Sequence, residues 1–280
     1  MTGAVIKNVL GRAILASGFD RLLLADSAIV VVFHRITDAP EYDSLSVGVE
    51  TFTRYCRFFA RHFRVVPLTA IVDKLAAGRR FEHELAITFD DGYRDNFENA
   101  LPVLERLALP ATFFVVSDWV GTDVVPWWDG QQGFRHPLMT WDQVRALHRP
   151  GFSIGGHTRT HVDLGVVSGD HAVDEIVGAR RSLEERLGAA VDLFALPYGG
   201  RDNIVDANRA LVKTAGFRCC CWCFGGVNPA GTDPFQLARI PISAWYASPG
   251  QFAFEAALGW SVESPSNPRA VQLSETNRAA

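Results

Sequence analysis

From Ile29 to Ile242 the chain repeats one unit about seven times: a short apolar, β-branched run followed by a segment of helical period. Such alternation at this pitch means βαβ units and a parallel sheet. About seven units in one chain favour a closed or nearly closed barrel over an open sheet. Ile29–Phe33, Arg64–Val66, Leu85–Phe89, Ala111–Val116, Phe152–Ile154, Asp192–Leu196, Phe217–Trp222 and Arg239–Ile242 read as strands. Thr51–His62, Leu68–Ala77, Asn96–Leu107, His171–Leu187 and Val205–Ala215 read as helices, and Thr140 reads as the N-cap of another. No linker divides the chain.

The flanks differ from this body. Residues 1–26 carry apolar positions at helical spacing, interrupted by Lys7, Arg12, Asp20 and Arg21. Arg12 and the Gly18-Phe19-Asp20 triplet break the run that a secretory signal needs. No window reaches the length of a membrane span. The expectation is a packed amphipathic helix, with peripheral membrane contact as the alternative. Residues 263–280 are rich in Ser, Pro, Asn and Glu and read as a loose tail, leaving 27–262 as one barrel domain.

With 48% hydrophobic and 21% charged residues and a formal net charge of −4, the composition fits a soluble globular protein and gives no footprint for nucleic acid. There are five cysteines. Cys219, Cys220, Cys221 and Cys223 crowd one strand-like segment, whose alternating faces exclude a disulfide ladder, and no second ligand pair makes a zinc site of them. They are expected to be small buried hydrophobes, and unpaired thiols favour a reducing compartment. The expected location is the cytoplasm or its membrane periphery.

The polar residues that do not fit a core collect at strand ends. Asp90 and Asp91 close one strand, His157 and His161 follow another, His34 ends the first, and Pro197-Tyr198-Gly199 follows a fourth. In a β/α barrel these ends share one rim, where active sites are built. Two imidazoles and one carboxylate make a three-ligand site for a divalent cation, with positions left open for water and substrate. A second carboxylate would then be free to take a proton from that water. This pattern suggests metal-assisted hydrolysis.

Three segments carry a family resemblance. Thr88-Phe89-Asp90-Asp91-Gly92-Tyr93, His157-Thr158-Arg159-Thr160-His161 and Leu196-Pro197-Tyr198-Gly199 resemble the first three motifs of the polysaccharide deacetylase family, also called the NodB-homology group or carbohydrate esterase family 4. The likeness covers roughly Ile29 to Ile242. It implies a distorted, TIM-like (β/α)7 barrel and removal of acetyl groups from amino sugars in a polysaccharide or glycan. It also implies a bound zinc or similar ion such as cobalt. By the resemblance, Asp90 is the general base, and Asp91, His157 and His161 are the metal ligands. The Tyr198 backbone N–H helps hold the oxyanion, with Pro197 and Tyr198 lining the substrate site. Thr158 reads as a loop former.

Two departures matter. The third motif usually carries an Arg two residues before the Pro, where it orients the base. Here that position is Ala195, and Arg239, which begins a strand, is the candidate replacement. The family takes its general acid from a Leu-x-His pattern on a final strand, whereas no His follows His171 here. Val32-Phe33-His34 on the first strand resembles that pattern, as in a circularly permuted member, making His34 the candidate acid. Trp127 and Trp128, beside Asp129, are candidates for stacking on a sugar, while Trp222 and Trp245 are ambiguous. Asp118 and Asp163 receive no role. A deformylase or other amide C–N hydrolase using the same site, or a sugar-binding pseudoenzyme, are the competing readings, the latter favoured by Ala195.

Overall fold

The computed structural model describes residues 3–39, 44–243 and 248–258. The tail expected at 263–280 and Trp245 lie outside them. The chain begins with α1 (Gly3–Ser17) and α2 (Asp20–Leu23). These are two helices, not the single one expected for residues 1–26, because Gly18 turns the chain at φ +72. There follow β1 (Ser27–Phe33), β2 (Arg35–Ile36), β3 (Ser46–Val47), α3 (Val49–His62), β4 (Arg64–Val65), α4 (Leu68–Ala76), β5 (Glu84–Phe89), α5 (Leu101–Arg106) and β6 (Ala111–Val115). The second half runs α6 (Trp127–Gln131), α7 (Trp141–Leu147), β7 (Phe152–Gly156), α8 (Gly169–Val173), α9 (Ala179–Leu187), α10 (Asp206–Thr214), β8 (Cys221–Gly225), β9 (Asn228–Pro229), β10 (Leu237–Pro241) and α11 (Pro249–Ala257).

The main sheet is parallel in the order β7-β6-β5-β1-β10-β8. Its two ends are joined by residues 193–196. Gly156 bridges Phe194, and Ala195 bridges Cys221, both in parallel register. Ala195 N–H donates to the Gly156 carbonyl (3.0 Å) and Leu196 N–H to that of Cys221 (2.9 Å). The result is the expected barrel of seven staves, one of them reduced to two bridging residues.

Two departures from the expected elements have local causes. The strand expected at Phe217–Trp222 starts only at Cys221. Before it, Arg218 N–H bonds the Asp192 carbonyl and Cys220 N–H that of Pro234, so the segment is pinned to loops, not to a ladder. The helix expected at Asn96–Leu107 opens as a π turn over Asn96–Ala100 before α5. Pro102 has no N–H to return to the preceding turn, which loosens the winding there. The Thr140 cap is present as a reciprocal box with Gln143, at 3.3 and 2.9 Å.

Alternation along the staves sorts the core into two regions. Ile29, Val31, Phe33, Ile87, Phe89 and Phe113 pack outward against Phe52, Tyr55, Phe59 and Leu104 of the surrounding helices. Ala28, Val30, Ala86, Phe114, Ala195 and Cys221 form a second cluster with Leu68, Ile71, Val72 and Leu75 of α4. A narrow seven-stave ring leaves room inside for little but small side chains, and Phe114 takes most of it. Gly155 makes way for that ring, since a Cβ there would sit 2.4 Å from Phe114 Cδ1. All five cysteines are free, and four of them are buried.

Gly155→Ala is therefore expected to destabilise the fold by about 1–3 kcal/mol through overpacking. Adding Phe114→Leu to the same chain should return part of that loss. Urea unfolding of the single and double variants measures both.

Candidate active site

Because every stave is parallel, the residues that follow the staves meet on one rim. β5 delivers Asp90 and Asp91, β7 delivers His157, and the loop after it delivers His161. Asp91 Oδ1 lies 3.4 Å from His157 Nε2 and 3.3 Å from His161 Nε2. All three donor atoms lie within 4.8 Å of one another, and all three residues are buried.

The backbone there is forced into unusual shape. Asp91, Thr158, His161 and Tyr198 all have φ between 61 and 70, the left-handed region that non-glycine residues seldom enter. They account for four of the seven such residues in the described chain. Strain of this kind persists where surrounding contacts over-determine it. For the His157–His161 loop those contacts are visible. Thr158 Oγ1 accepts the His161 N–H at 3.0 Å, so Thr158 shapes the loop as expected. Buried Glu175 accepts the N–H groups of Arg159 and Thr160, each at 2.9 Å, and the Thr160 hydroxyl. Arg159 itself is clamped by Asp118 and Asp174. Asp118 thus holds the loop, and Asp163 does the same further on through Gly165 N–H and Asn203 Nδ2.

Each imidazole is oriented differently. His157 Nδ1 sits 2.8 Å from the Ala195 carbonyl, which fixes Nδ1 as the protonated nitrogen and turns the Nε2 lone pair toward Asp91. His161 is held by rings: Trp119 stacks on it at 5.3 Å, Trp128 lies at 4.9 Å and Tyr198 at 4.8 Å. Its Nδ1 is buried and finds no hydrogen-bond partner among the described residues. Burial pushes the Asp91 carboxyl up, but the influence of His157 and His161 beside it, with that of His34, outweighs burial, and Asp91 stays well below the usual carboxylate range. Burial lowers His161, whereas for His157 it is outweighed by Asp90 and Asp91, which raise it. Two neutral-capable imidazoles and one firmly ionised carboxylate, facing one point and excluded from bulk water, suit a divalent cation.

Asp90 points to a different partner. Arg239 Nη1 and Nη2 each reach one of its carboxylate oxygens at 2.7 Å. Arg239 is itself wholly buried, with Nε on the Trp222 carbonyl (2.8 Å), Nη1 on Thr88 Oγ1 (3.2 Å) and Nη2 by Cys223 Sγ (3.2 Å). Ala195 has no donor to offer Asp90, and the guanidinium that reaches it comes from β10. Burial again pushes Asp90 up, but Arg239 foremost, with His157 and His34, outweighs it and leaves the carboxylate below its ordinary range.

His34 follows β1, whose Phe33 pairs with Phe89, so it stands beside Asp90 on the next stave. Burial lowers its imidazole, with Asp91 and Asp90 opposing. The His34 carbonyl accepts from Asn96 Nδ2 at 2.8 Å, and Asn96 in turn donates to Asp95 at 2.6 Å. Pro197 and Tyr198 make the tight turn after residue 196, closed by Gly199 N–H to the Pro197 carbonyl at 2.7 Å. The Tyr198 N–H meets no acceptor among the described residues. Trp127 is exposed, with Nε1 3.4 Å from the Tyr198 hydroxyl. Trp128 is tied in more deeply, through Nε1 to the Tyr93 hydroxyl at 2.9 Å.

That last bond opens onto a network that the sequence did not mark as functional. The Tyr93 hydroxyl donates to Asp129 Oδ2 (3.0 Å), and Asp129 is paired with Arg35, both fully buried. Arg35 also lies 5.0 Å over the Tyr93 ring. The chain Arg35–Asp129–Tyr93–Trp128 thereby braces the ring that supports His161. Only the odd placement of an Asp after two Trp residues hinted at it.

Comparison with known proteins follows this geometry. The family model described as polysaccharide deacetylase matches residues 78–220, about half of the chain. That stretch holds Asp90, Asp91, His157, His161 and Tyr198 but neither His34 nor Arg239. YxkH of Bacillus subtilis, whose name places it among polysaccharide deacetylases, is 27% identical over 113 residues, 40% of this chain and 36% of its own length. Chitin deacetylase 2 of Saccharomyces cerevisiae is 29% identical over 139 residues, 50% of this chain and 37% of its own. The chain thus spans little more than a third of these two relatives. The fold is similar to that of Streptococcus pyogenes deacetylase PplD (TM-score 0.69, 18% identity, 82% of this chain and 98% of that one). It is similar also to IcaB from Ammonifex degensii (0.69, 21%, 83% and 97%).

Two outcomes are expected from this geometry. Arg239→Met strands a buried carboxylate and should cost about 3–5 kcal/mol in chemical denaturation, with Asp90→Asn in the same chain restoring part of it. Asp95, raised to about 6 by burial, governs a pH dependence. Its folded-state pKa lies above the unfolded one, so its favourable contribution is complete below about pH 4 and is lost as pH rises through 6. Asp95→Asn should therefore melt higher than the parent at pH 7.5 and show a smaller stability change between pH 5 and 7.5.

Proposed function

The chain belongs to the polysaccharide deacetylase family, and from that premise we propose that it is a metal-dependent hydrolase removing N-acetyl groups from amino sugars in a polysaccharide or glycan. The observation that carries the reading is the convergence of Asp91, His157 and His161 beside a second, separately held carboxylate. Those three side chains would hold a divalent cation, zinc or cobalt by donor type. When bound, it would polarise the acetyl carbonyl and make water more acidic.

The chain's own groups supply the rest. Asp90 takes the proton from the attacking water. The two-point grip of Arg239 keeps that carboxylate ionised and aimed, and leaves the pair rigid at the moment of transfer. The Tyr198 N–H, presented by the left-handed turn after Pro197, donates to the oxygen that gains charge as the acetyl carbon becomes tetrahedral. His34 then protonates the departing amine. The proton that Asp90 has taken from water can replace the one given up, since His34 stands beside Asp90 at the end of β1. Trp127 offers an exposed ring for a sugar face, whereas Trp128, bonded to Tyr93 and packed on His161, contributes by lining the site. The guanidinium that Arg239 brings to Asp90 speaks against a sugar-binding pseudoenzyme.

Acetate release from N-acetylated oligosaccharides, measured on chelated protein with zinc or cobalt added back, tests the reading. Asp90→Asn is expected to lose about 10²–10⁴-fold in kcat while keeping its metal. His157→Ala should lose metal first. Full activity in Asp90→Asn would remove Asp90 as the base. Formate release without acetate release would move the substrate to formamides.

A further inference from the structure

α1 presents its apolar side to solvent. Val5, Ile6, Val9 and Leu10 are each 44–55% exposed, and with exposed Ala13 and Ala16 they form one uncharged stripe. At 100° per residue the stripe covers about 140° of the helix and runs along about 20 Å of it. The opposite side docks α1 on α11. Gly11 lies so close that a Cβ would be 1.8 Å from the Gly250 carbonyl oxygen, and Lys7 pairs with Glu255 at 3.0 Å. The residues of the stripe are therefore not what attaches α1 to the barrel. Past the Gly18 break, Phe19 and Leu22 are also exposed, at 49% and 67%.

Cations border this stripe. Arg12 projects next to it, and a groove between α1, α3 and the start of α11 is lined by Arg12, Arg54, Arg61 and Phe58. Arg21 and Arg61 line the neighbouring groove, with Arg64 and Arg80. Among the described residues, Arg12, Arg21, Arg54 and Arg61 have no carboxylate partner, although the chain as a whole is acidic. An exposed apolar helical stripe edged by unpaired arginines is complementary to an anionic bilayer surface. The stripe enters the acyl boundary and the arginines meet phosphate headgroups. No helix among the described residues is long and apolar enough to cross a membrane, so the contact lies in the interface plane.

We propose that α1 and α2 form a docking face for an anionic phospholipid bilayer. The face is independent of the deacetylase reading and uses none of its residues.

Co-sedimentation of the full chain with vesicles tests this. The protein is expected to pellet with phosphatidylglycerol-containing vesicles at least tenfold more than with pure phosphatidylcholine, and to be released at about 1 M salt, where screening is complete within about 3 Å. Val9→Glu/Leu10→Glu, both solvent-facing, should fold normally and lose at least tenfold in binding. As a check that needs no loss of function, a nitroxide on Val9→Cys should lose access to an aqueous relaxation agent when vesicles are added, and one on Val173→Cys should not. Failure to pellet with anionic vesicles, or pelleting unchanged in the double variant, overturns the proposal. So does a solution dimer that the double variant converts to monomer, because the face would then serve a second copy of the chain.

Discussion

A parallel ring that closes is the constraint on which everything else rests. Seven staves running the same way place seven C-terminal ends on one edge, so residues distant in sequence meet without any long loop having to fold around them. Closure is achieved at the thinnest place, where residues 193–196 bond β7 on one side and β8 on the other. The same short segment offers the Ala195 carbonyl to His157 and leads into the Tyr198 turn. Closure of the barrel and orientation of a site imidazole are thus the work of the same few residues.

The interior explains why Asp90 is held from β10. In a ring this narrow, inward positions are filled by Ala28, Ala86, Ala195 and Cys221, and Phe114 occupies the space that Gly155 vacates. Ala195 is one of these inward positions, and its smallness leaves volume for the long Arg239 side chain, which crosses from β10 over the Phe114 ring to Asp90. A guanidinium at that depth is tolerable because its donors reach Asp90, Trp222, Thr88 and Cys223. The small side chain at 195 and the long one at 239 are the two halves of one packing solution.

Much of this was legible in the sequence, for physical reasons. β-branched runs such as Ile29–Phe33 and Leu85–Phe89 are buried on both faces and so announce themselves, and polar groups set right after them mark the rim. The Thr140–Gln143 cap is a local signal that needs nothing beyond its own four residues. What stayed hidden depends on distant contacts. The run Asp192–Leu196 reads as a full strand although two bridges alone hold it in the ring, and Phe217–Cys220 has the pattern of a ladder strand because its pinning to Asp192 and Pro234 cannot be seen locally. Arg35, Tyr93 and Asp129 come from three separate segments, and nothing in any one of them reveals that they brace Trp128 against His161. The orientation of α1 was hidden too, because an amphipathic pattern does not say which side meets the barrel.

The central claim is that Asp91, His157 and His161 share one divalent cation. Anomalous diffraction at the zinc edge, from crystals of the chain equilibrated with zinc, tests it directly. The account predicts a single strong peak within bonding distance of Asp91 Oδ1 and the Nε2 atoms of His157 and His161. A zinc-loaded crystal with no peak among those three atoms would contradict it.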